Sequence, residues 1–249
     1  VQPGGVLLVH TAFRAVQPIE RGPHGLIAAL RDALGADGTL VMPSWSCGDE
    51  AFDPAASPAC PELGVVADAF WRLPGTVRSD HVFAFAAAGP QAARLVGGPL
   101  PLPPHAPDSP VGYVHDLDGQ VLLLGVGHEA DTTVHLAEVL AGVPYAVPKH
   151  CMVLQDGRPV RLDWLENDHC CERFALLDGW LRTAGRQVEG RVGHAPARLA
   201  RSRDIVAIAR DRLLRDPLLF LHPSDAGCAE CDAARASVPA AGTAGPAAL

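Results

Sequence analysis

The sequence is short of charge, and of basic charge above all. Charged residues make up 19% of its 249 positions, and 20 Lys and Arg stand against 28 Asp and Glu, for a formal net charge of −8. Non-specific nucleic-acid binding is led by Lys and Arg contacts to phosphate, so the balance argues against it and favours a cationic small molecule or no particular partner. Long apolar runs are also missing. No stretch approaches the ~20 apolar residues that a membrane span needs. No internal repeat is visible. The chain opens VQPGG, with neither an initiator Met nor the regions of a secretory leader, which predicts a trimmed or partial cytoplasmic protein. The seven cysteines are odd in number and lack the spacing of a small disulfide scaffold, so reduced thiols or a metal site are expected. What is abundant is apolar: 48% of residues are hydrophobic, enough for a sizeable core.

Residues 5–10 (GVLLVH) and 39–43 (TLVMP) are short apolar runs, and residues 22–34 between them carry Leu26, Ile27, Leu30 and Leu34 at helical spacing. Strand, helix, strand at this distance is a βαβ unit with a parallel strand pair. A loop rich in Pro and Ser covers residues 44–61. Short helices are expected over 63–71 and 89–95, a proline-dense turn over 100–110, and a hairpin over 151–165 with Asp156-Gly157 at its tip. Residues 174–181 and 203–214 read as helices and 218–221 as a last strand. The reading is one α/β domain over 1–237, with a largely parallel mixed sheet flanked by helices. The loop at 44–61 and a subregion at 151–235 serve substrate and metal. Residues 238–249 (VPAAGTAGPAAL) read as a low-complexity tail.

The stretch 121–142 (VLLLGVGHEADTTVHLAEVLAG) reads as a buried strand, a glycine turn and a helix starting at Asp131, Thr132 or Thr133. His135 then lies in the first helical turn, with Glu138 three residues on and on the same face. The helix N-terminus disfavours imidazolium, which suits a general base. The carboxylate pulls the other way, and also orients the ring. Asp168 and Glu172 are rival carboxylates. A Cys-x-x-Cys at Cys228 and Cys231 suits Zn²⁺, with His169 and Cys171 completing four ligands and Cys170 as an alternative. Such a closed shell is structural.

Seven stretches, GGVLLVHTAFRAV (4–16), GTLVMPSW (38–45), VRSDHVFAFAAAGPQA (77–92), LPLPPHAPDSPV (100–111), GQVLLLGVGHEADTTVHLAE (119–138), ENDHCCERFAL (166–176) and GCAECDAAR (227–235), resemble the aminoglycoside 3-N-acetyltransferases of the antibiotic N-acetyltransferase family. The branch they resemble most acts on apramycin and gentamicin-like drugs. The resemblance implies a fold distinct from the GNAT acetyltransferases, and no GNAT-type phosphate turn is present. It implies transfer of an acetyl group from acetyl-coenzyme A to the 3-amino group of the 2-deoxystreptamine ring, and hence resistance, with His135 as general base and Glu138 as its partner.

Coenzyme A needs turns rich in N–H groups and hydroxyls with one or two cations. His10, Thr11, Ala12, Phe13, Arg14, Arg78, Ser79, His105 and Ser109 have that character and match the family's cofactor-lining segments. The turn at 11–13 is also a candidate source of oxyanion donors. Thr-Ala stands there where the family more often has two serines. The drug is a polycation, which makes Asp49, Glu166 and Asp168 the substrate candidates, with Trp45, Asp53 and Trp164 weaker ones. Competing readings are a zinc-dependent hydrolase, a non-catalytic aminoglycoside-binding protein, and an acetyl-enzyme formed on Cys47. Monomer and homodimer both stay open.

Overall fold

The computed structural model describes residues 1–48, 50–98 and 101–239. The chain begins with β1 (Val6–Thr11), one turn of helix α1 (Phe13–Val16), α2 (Gly22–Leu34) and β2 (Thr39–Pro43). The 44–61 loop leads to α3 (Gly64–Trp71), β3 (Val77–Arg78), β4 (Phe85–Ala88) and α4 (Ala92–Val96). Then come α5 (Pro110–Asp116), β5 (Gln120–Leu124) and α6 (Thr133–Ala141). The rest holds β6 (Val147–Gln155), β7 (Arg158–Glu166), α7 (Leu176–Thr183), β8 (Gln187–Val192), β9 (Ala195–Arg201), α8 (Ser202–Leu213) and α9 (Ala229–Ala236).

Among the described residues, seven strands form one mixed sheet in the order β3-β4-β2-β1-β5-β9-β8. The fold is α/β, as expected, but the sheet is parallel only where β1 joins β2 and β5. The pairs β2–β4, β3–β4, β5–β9 and β8–β9 are antiparallel. Helical crossovers build the parallel centre, while tight returns such as Gly193-His194 between β8 and β9 build the flank. The sequence shows little sign of β8 because QVEGRV is exposed along nearly its whole length. The strand expected at 218–221 is instead a turn that buries Phe220 and Leu221; so short an apolar run does not specify its backbone.

The central strands are apolar throughout because both faces are covered. Leu7, Val9, Leu40, Met42, Leu122 and Leu124 pack with Leu26, Ile27, Leu30 and Leu34 of α2 and with Val66 and Phe70 of α3. Leu8, Val41, Val121 and Leu123 pack with Val111 and Val114 of α5, Val134 and Leu136 of α6, and Ile205 and Val206 of α8. Each such side chain contributes about 1.5–3 kcal/mol.

The hairpin β6–β7 forms a separate two-stranded sheet, and its Asp156-Gly157 tip takes φ of 51° and 74°. Its Cys151, Val153 and Trp164 pack on Val82 and Phe83. Because β1 and β5 run parallel, their C-terminal ends open on the same edge, where ligands gather in α/β sheets. Gly125 makes the turn out of β5 at φ 74°, where a Cβ would sit 2.9 Å from Ala15 Cβ and 3.1 Å from the Ala12 carbonyl. Of the expected tail, Val238 packs against the core and 240–249 lie outside the described residues. No described helix is long and apolar enough to cross a membrane.

Candidate active site

Asp131 starts α6 by accepting the Thr133 N–H at 3.0 Å. That places His135 in the first turn, at the wall of a cavity of about 410 Å³ above the ends of β1 and β5. His135 Nδ1–H donates to Glu138 Oε2 at 2.8 Å. The other oxygen, Oε1, accepts from the Tyr145 hydroxyl at 2.5 Å and from His169 Nε2–H at 2.7 Å. Glu138 is fully buried, so three donors hold one carboxylate in a fixed place. Burial alone would raise its pKa; the His135 and His169 donors overcome this and hold it at about 2.

Cys171 and Glu138 together decide the charge on His135. Burial opposes imidazolium, but the neighbouring Cys171 sulfur and the Glu138 carboxylate outweigh it and raise the pKa well above the ordinary value of 6.5. The pKa of the ring is thus raised by Cys171 first and by the Glu138 carboxylate second, the reverse of the lowering that sequence reasoning expected from the helix N-terminus. His135 Nε2 is left towards the cavity, 3.5 Å from Cys171 Sγ. Of the rival carboxylates, Asp168 pairs with Lys149 and Glu172 faces His222, so neither orients His135.

His105 stacks on His135 with ring centroids 4.9 Å apart. Burial lowers its pKa, against the pull of Glu166, whose carboxylate lies 3.6 Å from His105 Nδ1. Trp164 Nε1–H donates to Glu166 at 3.1 Å. The hairpin thus delivers a buried carboxylate to the cavity, and its end carries Asp168 to the same wall. Glu62, Glu129 and Asp131 also line the cavity, whereas among the described residues no Lys or Arg does. The site is acidic. Asp49 lies outside the described residues. Trp45 lines the cavity, while Asp53 caps its own loop at the Ala55 N–H.

The expected coenzyme A residues divide. His10 and Thr11 line the cavity, and burial lowers the His10 pKa to about 4. Ala12, Phe13 and Arg14 line an adjoining groove of about 620 Å³ with Pro61, Gly64 and Val65. The groove and the cavity share Thr11, Glu62 and Val126. Arg78, Ser79 and Ser109 do not belong to either. Arg78 lies over the Trp71 and Phe52 rings and donates to the Ser44 and Ser57 carbonyls, so its guanidinium is spent pinning the 44–61 loop. Ser79 Oγ accepts the Phe85 N–H at 2.9 Å, and Ser109 caps α5 at the Gly112 N–H. His105 stacks on His135 rather than sitting in a phosphate turn. The Ala12 N–H donates to the Leu124 carbonyl at 2.9 Å, which removes it as an oxyanion donor.

The expected metal ligands are not brought together. His169 spends Nε2 on Glu138 and Nδ1 on the Cys170 carbonyl at 2.7 Å, and Cys171 faces His135. Only Cys228 and Cys231 of that set stay together, and Cys170 joins Cys228 instead. A metal-activated water at Glu138 also fails, because both carboxylate oxygens are already engaged. Cys47 is exposed and does not line the cavity, so it is no nucleophile there. Sequence reasoning missed Tyr145 and misplaced His169 and Cys171. Only their nearness to other polar residues in 166–172 hinted at the latter two.

A sequence model of the family described as aminoglycoside 3-N-acetyltransferase matches residues 8–214. Aminoglycoside N(3)-acetyltransferase IV of Salmonella sp is 68% identical over 228 residues, covering 91% of this chain and 87% of that protein. A crystal structure of the aminoglycoside acetyltransferase AAC(3)-IVa, a histidine-to-alanine mutant in complex with gentamicin, matches with a TM-score of 0.93 at 69% identity, over 96% of this chain and 92% of that one. Its apramycin complex matches at 0.87 and 65%, over 93% and 92%. The structure of AAC-IIIb with CoASH matches at 0.78 and 26%, over 89% and 93%.

Proposed function

The chain belongs to the aminoglycoside 3-N-acetyltransferase family, and on that premise we propose that it uses acetyl-coenzyme A to acetylate the 3-amino group of 2-deoxystreptamine aminoglycosides, gentamicin- and apramycin-like drugs among them, and so confers resistance. The carrying observation is His135, with Nδ1 bound to a buried carboxylate and Nε2 turned to an acidic cavity. The polycationic drug enters beside Glu166, Asp168 and Glu129. The thioester approaches through the groove at Ala12–Arg14, where Arg14 supplies the cation. A binary coenzyme A complex of the relative AAC-IIIb supports that co-substrate.

An ammonium group has no lone pair for attack, so the amine first gives one proton to solvent; His135 serves the second, which the nitrogen sheds as the new C–N bond forms. In the neutral ring, populated as pH rises through its raised pKa, Nδ1–H on Glu138 leaves the lone pair on His135 Nε2. As Nε2 takes the proton, the amine nitrogen bonds to the thioester carbonyl carbon. Collapse breaks the C–S bond, and the sulfur leaves as the coenzyme A thiol with the proton from His135. Glu138 stabilises the imidazolium between these steps, and His169 and Tyr145 keep the carboxylate from rotating. His105 lines the cavity, and its Nε2 is buried with no protein partner among the described residues, so a bound substrate that shifts the ring would give it one.

Cys171, 3.5 Å from His135 Nε2, supports a second reading in which its sulfur carries the acetyl group before the amine does. One assay separates the two. Acetyl-coenzyme A consumption with gentamicin and apramycin is measured for the wild type and for Cys171→Ala. Direct transfer predicts retained turnover in the variant, and an acetyl-cysteine route predicts its loss. No drug-dependent consumption by the wild type would remove the function itself and leave a binding protein.

A further inference from the structure

Cys170 and Cys171 are neighbours in sequence that serve different places. Cys171 faces His135, while Cys170 turns away to meet His222 and Cys228, and the three ligand atoms lie within 4.8 Å of one another. Cys231 stands beside them, its Sγ 3.7 Å from His222 Nδ1 though not within 4.8 Å of all three atoms, so a small movement of its thiol supplies a fourth ligand. Three thiols and one imidazole thus converge from three separate segments: the 170–172 turn, the 222 loop and the first turn of α9.

We propose that Cys170, His222, Cys228 and Cys231 form a structural Zn²⁺ site that clamps α9 to the turn carrying His169 and Cys171. The donor set is the soft thiolate and imidazole shell that zinc prefers. A tetrahedron with zinc–ligand bonds of about 2.0–2.3 Å has edges of roughly 3.5–3.8 Å, and the Cys231–His222 separation falls in that range. His222 is also oriented as a metal ligand would be. Its Nδ1 faces the thiols, and its Nε2 lies 3.5 Å from a Glu172 carboxylate oxygen. A carboxylate on the far nitrogen is the usual outer partner of a ligating histidine, and Glu172 is placed to become one. Arg235 donates to the His222 carbonyl at 2.5 Å and to the Cys231 carbonyl at 3.4 Å, so the two ligand segments are braced independently of the metal. Four protein ligands leave no open position for water or substrate, so the ion has no catalytic step of its own.

The position gives the site its consequence. Cys170 carbonyl accepts from His169 Nδ1–H, and His169 in turn holds Glu138. One end of the clamp is therefore two hydrogen bonds from the carboxylate that orients His135.

The test is metal analysis of the full chain purified under reducing conditions and supplied with Zn²⁺. One tightly held zinc per chain is expected, lost in Cys228→Ser and Cys231→Ser, kept in Cys171→Ala, and held about tenfold more weakly in Glu172→Gln. Cobalt replacement of the wild-type metal gives a readout free of folding defects in the variants: a thiolate charge-transfer band is expected, and chelator should abolish it while exposing Cys228 and Cys231 to thiol reagents. The proposal is overturned if the reduced wild type takes up neither metal, or if its zinc survives loss of both Cys228 and Cys231. A Cys228–Cys231 disulfide that persists in place of metal uptake would overturn it equally.

Discussion

His128–Asp131 and His135–Glu138 are the same pattern, a histidine with an acid three residues on, repeated within one loop and one helix turn. In both, Nδ1 meets the carboxylate, at 3.1 Å and 2.8 Å. The difference lies at the other nitrogen. His128 Nε2 is taken by Gln187 Oε1 at 2.9 Å, and the ring is 1% exposed. His135 Nε2 faces the cavity. A histidine with both nitrogens engaged is a brace between the 125–132 loop and β8. One whose second nitrogen meets only a thiol, 3.5 Å away on the cavity wall, is oriented and still able to exchange a proton. Spacing shows the first contact and not the second, so the pattern alone does not separate a base from a brace.

The widest separation between the two is expected from alanine. His135→Ala should lower kcat by on the order of 10²–10⁴-fold, the usual range for a general base, with melting temperature little changed. His128→Ala should do the reverse, losing about 1–3 kcal/mol of stability through the unpaired Asp131 while the folded fraction keeps its turnover. Equal kcat losses in the two variants would erase the distinction.

Glu138→Gln sharpens the comparison through pH. With His135 as base, its raised pKa predicts that kcat/KM should climb as pH rises and the ring loses its proton. Removing the carboxylate removes a cause of that rise, so the acid limb should move to lower pH while kcat falls on the order of 10²-fold. A limb that stays in place would mean that Glu138 does not set the charge on His135.

For the brace, pH should act on stability instead. Burial lowers the His128 pKa, but Asp131 and Gln187 more than reverse this and leave it above 6.5. Burial raises that of Asp131, but His128 brings it below 3.8. The histidine's contribution is whole below 6.5 and is lost as pH climbs through its raised folded value. The aspartate's is whole above 3.8 and is lost as pH falls through its depressed one. The gap in melting temperature between wild type and Asp131→Asn should therefore be widest between these values and shrink on either side. A gap flat with pH would show that the pair is not ionised.

The βαβ start, the 151–165 hairpin and the His135–Glu138 pair were legible because each rests on local pattern: apolar runs, an Asp-Gly tip, an i,i+3 spacing. What stayed hidden depends on contacts between distant segments. Tyr145 reaches Glu138 only after α6 has ended at Gly142, where φ of 65° turns the chain back. Cys170 and Cys171 differ in direction, and no spacing rule assigns directions to adjacent residues. Arg78 looked like a phosphate ligand because a cation beside a serine in a turn has that composition. Its partners are the Ser44 and Ser57 carbonyls, at 3.2 Å and 2.5 Å, which no composition displays. Matching motifs in order identified the family, yet it did not tell which matched residues touch substrate and which hold the loops that do.

The smallest expected effect tests the acidic wall away from either histidine. Asp168 is half-buried at the cavity and already paired with Lys149, whereas Glu166 is buried and bound by Trp164 and His105. An exposed ion pair contributes about 0.2–1 kcal/mol, so a drug ammonium that displaces Lys149 gains little over the contact it replaces. Asp168→Asn should raise KM for gentamicin by no more than about fivefold at unchanged kcat, the signature of uniform binding. The rise should fade with added salt, because a half-exposed charge is screened. A loss of kcat in Asp168→Asn would place this carboxylate in the proton path and shift the catalytic assignment away from the His135–Glu138 pair.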